Sequence, residues 1–308
     1  MKFAIIGASG FIGLHTGEYF RKNGADVDLY SREKSLDFLK SHFPSSVLYR
    51  SDSDEFWSRA KDYSAVIYLS SAAANGTVLS EVTGNVSLAV SFFERLAAIN
   101  ARCHVIYASS GGTIYGPGHA VPIVEEAAPN PISPYGVGKS LIETSLKFLA
   151  FARGVPVSTL RIANPVGYWQ LSGPHGFVTA AIRSAMTNQK LRVFGDGSNL
   201  RDYFDVDDLS RLLLMLASEP HTGYRVNNVG SGIESSEIDV VTAVEGVLGV
   251  KLFPEMIASR LSDLKYAVLD PSRTRREFGW VSNLPIADLA EKVVRAARER
   301  GFPDRSSF

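Results

Sequence analysis

Apolar residues along this chain follow two rhythms. In the first half, short strand-like runs rich in apolar residues alternate with longer helix-like stretches. The runs predict strands at 2–6, Val27–Tyr30, Val47–Tyr49, Ala65–Leu69, His104–Ala108 and Val157–Ile162. The longer stretches predict helices over 12–23, 33–42, 81–99 and 135–152. The Ala65–Leu69 run has no charged position, as a parallel strand covered on both faces requires. Strands separated by helices imply right-handed crossovers and an α/β fold built on a doubly wound parallel sheet. Beyond about Asn164 the rhythm changes. Residues 164–176 read as a loop, about 176–188 as a helix, and Leu191–Phe194 as a short strand ending in Gly-Asp-Gly. A helix over Val206–Ser218, a strand over Tyr224–Val229 and a helix over Ser236–Leu248 follow. Residues 1–165 are expected to form the sheet domain, with later segments returning to it, and 166–308 mainly a smaller α/β C-terminal lobe for substrate. The polar tail Asp304–Phe308 is expected to fray.

The first strand runs into Gly7-Ala8-Ser9-Gly10-Phe11-Ile12-Gly13, and a helix begins at once. The first glycine permits a tight turn, the second lets backbone N–H groups approach a pyrophosphate, and the third lets helix and strand pack closely. The helix N-terminus then faces negative charge. Glycines also punctuate ordinary turns. Their place between a strand and a helix is the context that marks a dinucleotide loop of the Rossmann kind.

Composition narrows the partners. The chain has 308 residues, 45% of them hydrophobic, with 32 Lys plus Arg against 32 Asp plus Glu. That balance gives no basic field for nucleic acid. The single cysteine, Cys103, sits in an apolar run, so no internal disulfide forms and a cytoplasmic setting is expected. No apolar run approaches a membrane span, and the apolar start is too short for a signal-peptide core. The six histidines show no ligand spacing, so no metal is expected.

Candidate chemistry lies further on. Tyr135 and Lys139 stand four residues apart, behind Pro134, at the start of a predicted helix. Positions i and i+4 share a face, and an ammonium beside a phenol favours the phenolate, which suits the phenol to acid/base work. Taken singly, such a pair is also common on helices that catalyse nothing. Upstream, Tyr107-Ala108-Ser109-Ser110-Gly111-Gly112-Thr113-Ile114-Tyr115-Gly116 places hydroxyls where a strand ends, the edge at which open α/β sheets bind ligands.

Together, Gly7/Gly10/Gly13, the Ser110 loop and Tyr135/Lys139 resemble the extended short-chain dehydrogenase/reductase family, the NAD(P)-dependent nucleotide-sugar epimerases and dehydratases. Leu160-Arg161-Ile162-Ala163-Asn164-Pro165-Val166-Gly167, Phe194-Gly195-Asp196-Gly197, Arg201-Asp202-Tyr203, Val206-Asp207-Asp208, Asn228-Val229-Gly230-Ser231-Gly232 and Asp270-Pro271-Ser272-Arg273 extend the likeness over essentially the whole chain. The resemblance implies Tyr135 as acid/base and Lys139 as its tuner and ribose partner. Ser110 is implied as the hydroxyl that meets the reacting oxygen, with Thr113 the next candidate. Many relatives carry that hydroxyl one place later, where this chain has Gly111. Cofactor contacts are implied at Gly7, Ser9, Gly10, Phe11, Ile12, Gly13, Ser31, Arg32, Asp52 and Leu69, besides Tyr135 and Lys139. Substrate contacts are implied at Asn164, Arg201 and Arg273, with the pocket shaped by 72–77, 166–178 and 192–204.

Ser31 stands where relatives carry a ribose-gripping acid, and Arg32 follows it. An arginine there accommodates a 2′-phosphate, so NADP is expected, with NAD possible. Gly111-Gly112 replaces the Asp-Glu pair of the sugar dehydratases, so elimination lacks its acid and base. The expected activity is a sugar 4-epimerase working through a transient 4-keto intermediate on a nucleotide-diphosphate sugar. The alternatives are an NADPH-dependent 4-keto-sugar-nucleotide reductase and a non-catalytic NADP-binding regulator. A homodimer is also implied, through the helices at 81–99 and 135–152, with Val86, Ala89, Val90, Phe93 and Leu96 as a candidate face.

Overall fold

The computed structural model describes residues 1–32, 35–43, 48–50, 53–70, 78–259 and 263–302. The first half runs β1 (Lys2–Ile6), α1 (Phe11–Lys22), β2 (Asp26–Ser31), α2 (Leu36–His42), β3 (Leu48–Arg50), α3 (Asp54–Arg59), β4 (Ala65–Tyr68), α4 (Leu79–Ile99), β5 (His104–Ser110), the single turn α5 (Gly111–Ile114), α6 (Pro134–Arg153) and β6 (Val157–Ile162). The second half runs β7 (Asn164–Val166), α7 (Phe177–Thr187), β8 (Arg192–Phe194), β9 (Leu200–Asp205), α8 (Val206–Ser218), β10 (Tyr224–Val229), β11 (Glu234–Ser236), α9 (Glu237–Leu248), β12 (Glu255–Ile257), β13 (Tyr266–Ala267), α10 (Ser272–Phe278) and α11 (Ile286–Arg300).

Seven strands form one sheet in the order β10-β6-β5-β4-β1-β2-β3, and each neighbouring pair is parallel. Successive side chains of a strand point to opposite faces, so each strand feeds two cores. Phe3 and Ile5 of β1 pack with α1, α8 and α11 on one face. Ala4 and Ile6 pack on the other face, with Phe93 and Leu96 of α4 and Leu146 and Leu149 of α6. Ala4, Ile5, Val66, Ile67 and Ile106 are wholly buried, which is why these strands read as unbroken apolar runs. Strand order reverses between β1 and β4, and ligands of such sheets bind beyond the strand ends at that point.

The second half builds small sheets on this frame. β9 pairs with β7 and β13 in parallel and with β11 in antiparallel fashion, while β12 pairs with β8. The segment 164–176, expected as a loop, therefore contains a strand and a 3-10 turn, Tyr168–Ser172. A three-residue strand carries too few positions for a period to show, and its partner β9 lies far off in sequence. β10 returns to the edge of the main sheet. The helices α10 and α11 were not predicted from the sequence. α11 packs Leu289, Ala290, Val293, Val294 and Ala297 as one stripe against the same core as α1 and α8. The tail Asp304–Phe308 and Val47 lie outside the described residues.

Candidate active site

Gly7 follows β1 with φ +89°, a left-handed conformation that glycine adopts without steric cost. A Cβ there would lie 2.9 Å from Ser70 N and 3.1 Å from the Leu69 carbonyl carbon, so the ends of β1 and β4 touch at this point. Gly13 is excluded from change more firmly. Its Cβ would lie 2.4 Å from Gly7 O and 2.7 Å from Ala8 Cα, both rigid backbone. Gly10 caps α1 with no side-chain hydrogen bond, and the first turn holds no acidic residue. The opening N–H groups of a helix have no intrahelical acceptor. An uncapped N-terminus above a cradle that a single Cβ would fill fits the diphosphate of a dinucleotide.

Ser9 and Ser31 meet inside this loop. Ser31 Oγ donates to Ser9 Oγ at 2.6 Å, and Ser31 is only 1% exposed. Ser31 thus braces the loop, while Arg32, the next residue, is exposed. Asp28 of β2 turns to the opposite face, where Arg59 and Tyr63 donate to it at 2.9 and 2.6 Å. Phe11, Ile12 and Leu69 are half-buried at the mouth of the loop, and Leu69 N donates to Ile6 O. Asp52 and residues 72–77 lie outside the described residues.

α6 carries Tyr135 and Lys139 toward the same crevice. Ser133 caps it, accepting from Gly136 N at 3.1 Å, and Pro134 occupies the first turn where a missing N–H costs nothing. Lys139 is 6% exposed. Its Nζ donates to Ala108 O at 2.6 Å and sits 4.9 Å from the Tyr107 ring centre and 5.5 Å from that of Tyr135. Among the described residues no carboxylate pairs with it. An ammonium has three donors and is costly to bury, so this one has donors left for a guest or for negative charge forming nearby.

Two phenols flank that ammonium, and their settings differ. Tyr107 is wholly buried, and its hydroxyl has no partner among the described residues. Burial first, then the neighbouring Tyr135, pushes its pKa well above the ordinary value, so it stays neutral. Tyr135 is half-exposed and is the one a guest can reach. The two share a small cavity of about 40 Å³ with Tyr68, Val82 and Lys139. A larger hollow of about 230 Å³ along α11 is lined by Asp288, Glu291, Lys292 and Arg295. It holds none of these groups, and we place the site at α6.

Ser110 ends β5 two residues after Ala108 and is partly exposed. Thr113 lies on α5 against the first turn of α6, its carbonyl 2.6 Å from where a Gly136 Cβ would stand. The pairing of β7 with β9 sets Asn164 opposite Tyr203, two residues along from Arg201, and Asn164 Nδ2 donates to Asp202 O at 3.0 Å. Asp202 is fully buried and accepts from Ser231 N, Ser231 Oγ and Gly232 N, which pins the β10–β11 turn beside Arg201. Arg273 lies among acidic neighbours. It donates to Val226 O and pairs with Glu125 and Glu126, so its charge is already engaged by two carboxylates. Those glutamates belong to a loop far away in sequence, which no local pattern reveals. Tyr107 and the carbonyl of Ala108 were likewise not predicted, since one reads as a core aromatic and the other is backbone.

A family model described as the NAD dependent epimerase/dehydratase family matches residues 3–230. The chain belongs to that family. A UDP-glucose 4-epimerase of Mycolicibacterium smegmatis is 30% identical over 321 residues, covering 97% of this chain and 99% of the relative. Among solved structures, the UDP-glucose 4-epimerase of Thermotoga maritima with UDP-glucose superposes with a TM-score of 0.83 at 25% identity, over 97% of this chain and 99% of that one. MoeE5 in complex with UDP-glucuronic acid and NAD gives 0.84 at 26% identity, over 97% and 100%. Family membership carries the extended short-chain dehydrogenase/reductase type of enzyme and its Rossmann sheet. Among the described residues no helix is long and apolar enough to cross a membrane, and no group of three His, Cys, Asp or Glu could hold a metal.

Proposed function

We propose that this protein is a 4-epimerase of nucleotide-diphosphate sugars, with UDP-hexoses as its substrates. The observation that carries the reading is the buried Lys139 ammonium beneath the reachable phenol of Tyr135, next to the glycine cradle. A nicotinamide dinucleotide, when bound, supplies a hydride acceptor that later returns the hydride. Tyr135 takes the proton of the sugar 4-hydroxyl and gives it back after the 4-keto sugar has turned over. Lys139 stabilises the charge that develops on the phenol oxygen. Ser110 hydrogen-bonds the reacting oxygen. Asn164 and Arg201 hold the diphosphate, a task suited to amide and guanidinium donors. The elements of residues 166–308 outside the main sheet form the sugar lobe.

The test is direct. UDP-glucose and a trace of dinucleotide are incubated with the protein, and UDP-galactose is followed. The wild type is expected to interconvert the two with no net use of dinucleotide. Tyr135→Phe is expected to lose 10²–10⁴ in turnover with dinucleotide binding kept. Full activity of Tyr135→Phe would overturn the reading.

One observation favours a second reading. Ser31 with the exposed Arg32 supports NADP over NAD at the ribose, and NADPH chemistry suits a 4-keto-sugar reductase. Steady consumption of NADPH with a keto sugar would select it. Arg32→Ala is expected to raise KM for NADP and leave that for NAD nearly unchanged.

A homodimer through α4 and α6 is supported by their exposed apolar residues, which include Leu88 (72%), Leu141 (42%), Phe148 (64%) and Phe151 (92%). Ala89, Phe93 and Leu96 of the expected face instead pack on the sheet. Sedimentation at the monomer mass would refute it. A cytoplasmic setting is supported by the single cysteine, Cys103, whose burial pushes its pKa up to about 12 and leaves it inert.

A further inference from the structure

Three positions, 110, 111 and 113, decide what the loop after β5 can offer a guest. Ser110 is partly exposed. Gly111 is buried. Its φ lies outside the left-handed region, so its backbone conformation does not call for glycine. Space does. A Cβ there would lie 2.4 and 3.0 Å from the two methyl carbons of Leu269 and 3.1 Å from Arg161 O. Leu269 has nowhere to go. It is 0% exposed and packs with Ile114, Tyr115 and Ile123. Its backbone is tied to Ile123 by a bridge, with Ile123 N donating to Val268 O and Asp270 N to Ile123 O, at 2.9 and 2.8 Å. Further on, Thr113 Oγ1 is sealed from solvent and has no partner among the described residues, so a sugar oxygen cannot reach it as the loop stands.

We propose that Leu269 is a positioning residue: by filling the space beside Gly111 it leaves Ser110 as the one hydroxyl of this loop that meets the substrate. The inference rests on the epimerase reading and deepens it. It makes Gly111 and Leu269 a complementary pair, so a hydroxyl can be moved to 111 only after Leu269 has been cut back. Leu269→Ala removes both methyl contacts. What then remains is the Arg161 carbonyl at 3.1 Å, which a shift of a few tenths of an ångström relieves.

The test moves the hydroxyl. Ser110→Ala is expected to lower kcat by about 10², the usual cost of losing one hydrogen-bond donor at a reacting oxygen. Adding Gly111→Ser to Ser110→Ala is expected to restore nothing while Leu269 is present. Adding it to the Ser110→Ala, Leu269→Ala protein is expected to raise kcat at least tenfold. Dinucleotide binding shows that each variant is folded. A second readout needs no activity: Gly111→Ser is expected to lower Tm by roughly 5 °C beside Leu269 and far less beside alanine. Equal rescue in both backgrounds, no rescue in a folded triple variant, or an unchanged Tm for Gly111→Ser would each overturn the pairing. Unimpaired Ser110→Ala would overturn the role of Ser110 alone. An active Tyr135→Phe would overturn the epimerase reading beneath it.

Discussion

Acid should destabilise this protein through one histidine. His104 opens β5 at the edge of the sheet opposite the active site and is 4% exposed. Its Nε2 lies 2.8 Å from Ser158 Oγ, and Ser158 Oγ accepts from Arg225 Nε at 2.6 Å. The serine hydrogen is therefore free to donate to Nε2 in the tautomer that carries its lone pair there. A proton on that nitrogen would remove the acceptor and set a cation near the Arg225 guanidinium and 5.0 Å from the His221 ring. Burial first, then His221 and Arg225, lowers the His104 pKa to about 3. In the unfolded chain a histidine titrates near 6.5. Between these values the unfolded state binds the proton and the folded state does not, so stability is full above pH 6.5 and declines as pH falls toward 3. The slope is about 1.4 kcal/mol per pH unit, or about 2 kcal/mol lost by pH 5. Urea unfolding of the wild type and His104→Asn at pH 7 and pH 5 isolates this contribution, because the other groups titrate in both proteins. The asparagine variant starts lower at pH 7, and its further loss on going to pH 5 should be about 2 kcal/mol smaller. Parallel losses in the two proteins would refute the neutral, buried imidazole.

Three further outcomes follow from the same geometry. Lys139→Met removes a charge 5.5 Å from the Tyr135 ring centre; at an effective dielectric near 20 that is about 3 kcal/mol, so kcat should fall roughly 10²-fold, and a fall under threefold would refute the role. Gly13→Ala drives a Cβ into Gly7 O and Ala8 Cα, so dinucleotide affinity measured by titration should drop at least about tenfold, with about 1–3 kcal/mol of stability lost. Glu143→Gln leaves the buried Arg161 charge uncompensated beneath α6; the pair is 2.9 Å apart and both residues are buried, so urea unfolding should show a loss of about 3 kcal/mol, and a loss under 1 kcal/mol would show that the charge finds water.

Most of the main sheet was legible because its strands are covered on both faces. A run as apolar as Ala65–Tyr68 announces itself, and β1, β4 and β6 all lie within a residue of their expected ends, although β6 carries Ser158, Thr159 and Arg161. The elements that escaped notice obey other rules. β7, β11, β12 and β13 have two or three residues each and exist only because a distant strand pairs with them. α11 has a clear stripe, but among the described residues no strand follows it, and so it lacks the alternation that organised the first half.

The candidate site divides along the same line. Tyr135, Lys139 and the glycines are legible because one helical turn or one strand–loop–helix unit holds all the geometry they need. Arg273 is not, since its setting depends on Glu125 and Glu126 reaching it from a loop nearly 150 positions earlier. The Gly111–Leu269 contact is the sharpest case. Two glycines in a serine-rich loop read as flexibility, yet neither Gly111 nor Gly112 has a left-handed φ, and only Gly111 is crowded. Among the described residues, a Cβ at Gly112 would meet nothing within 4 Å. One glycine is therefore required by a side chain 158 positions away and its neighbour is not, a distinction that no pattern local to the loop could draw.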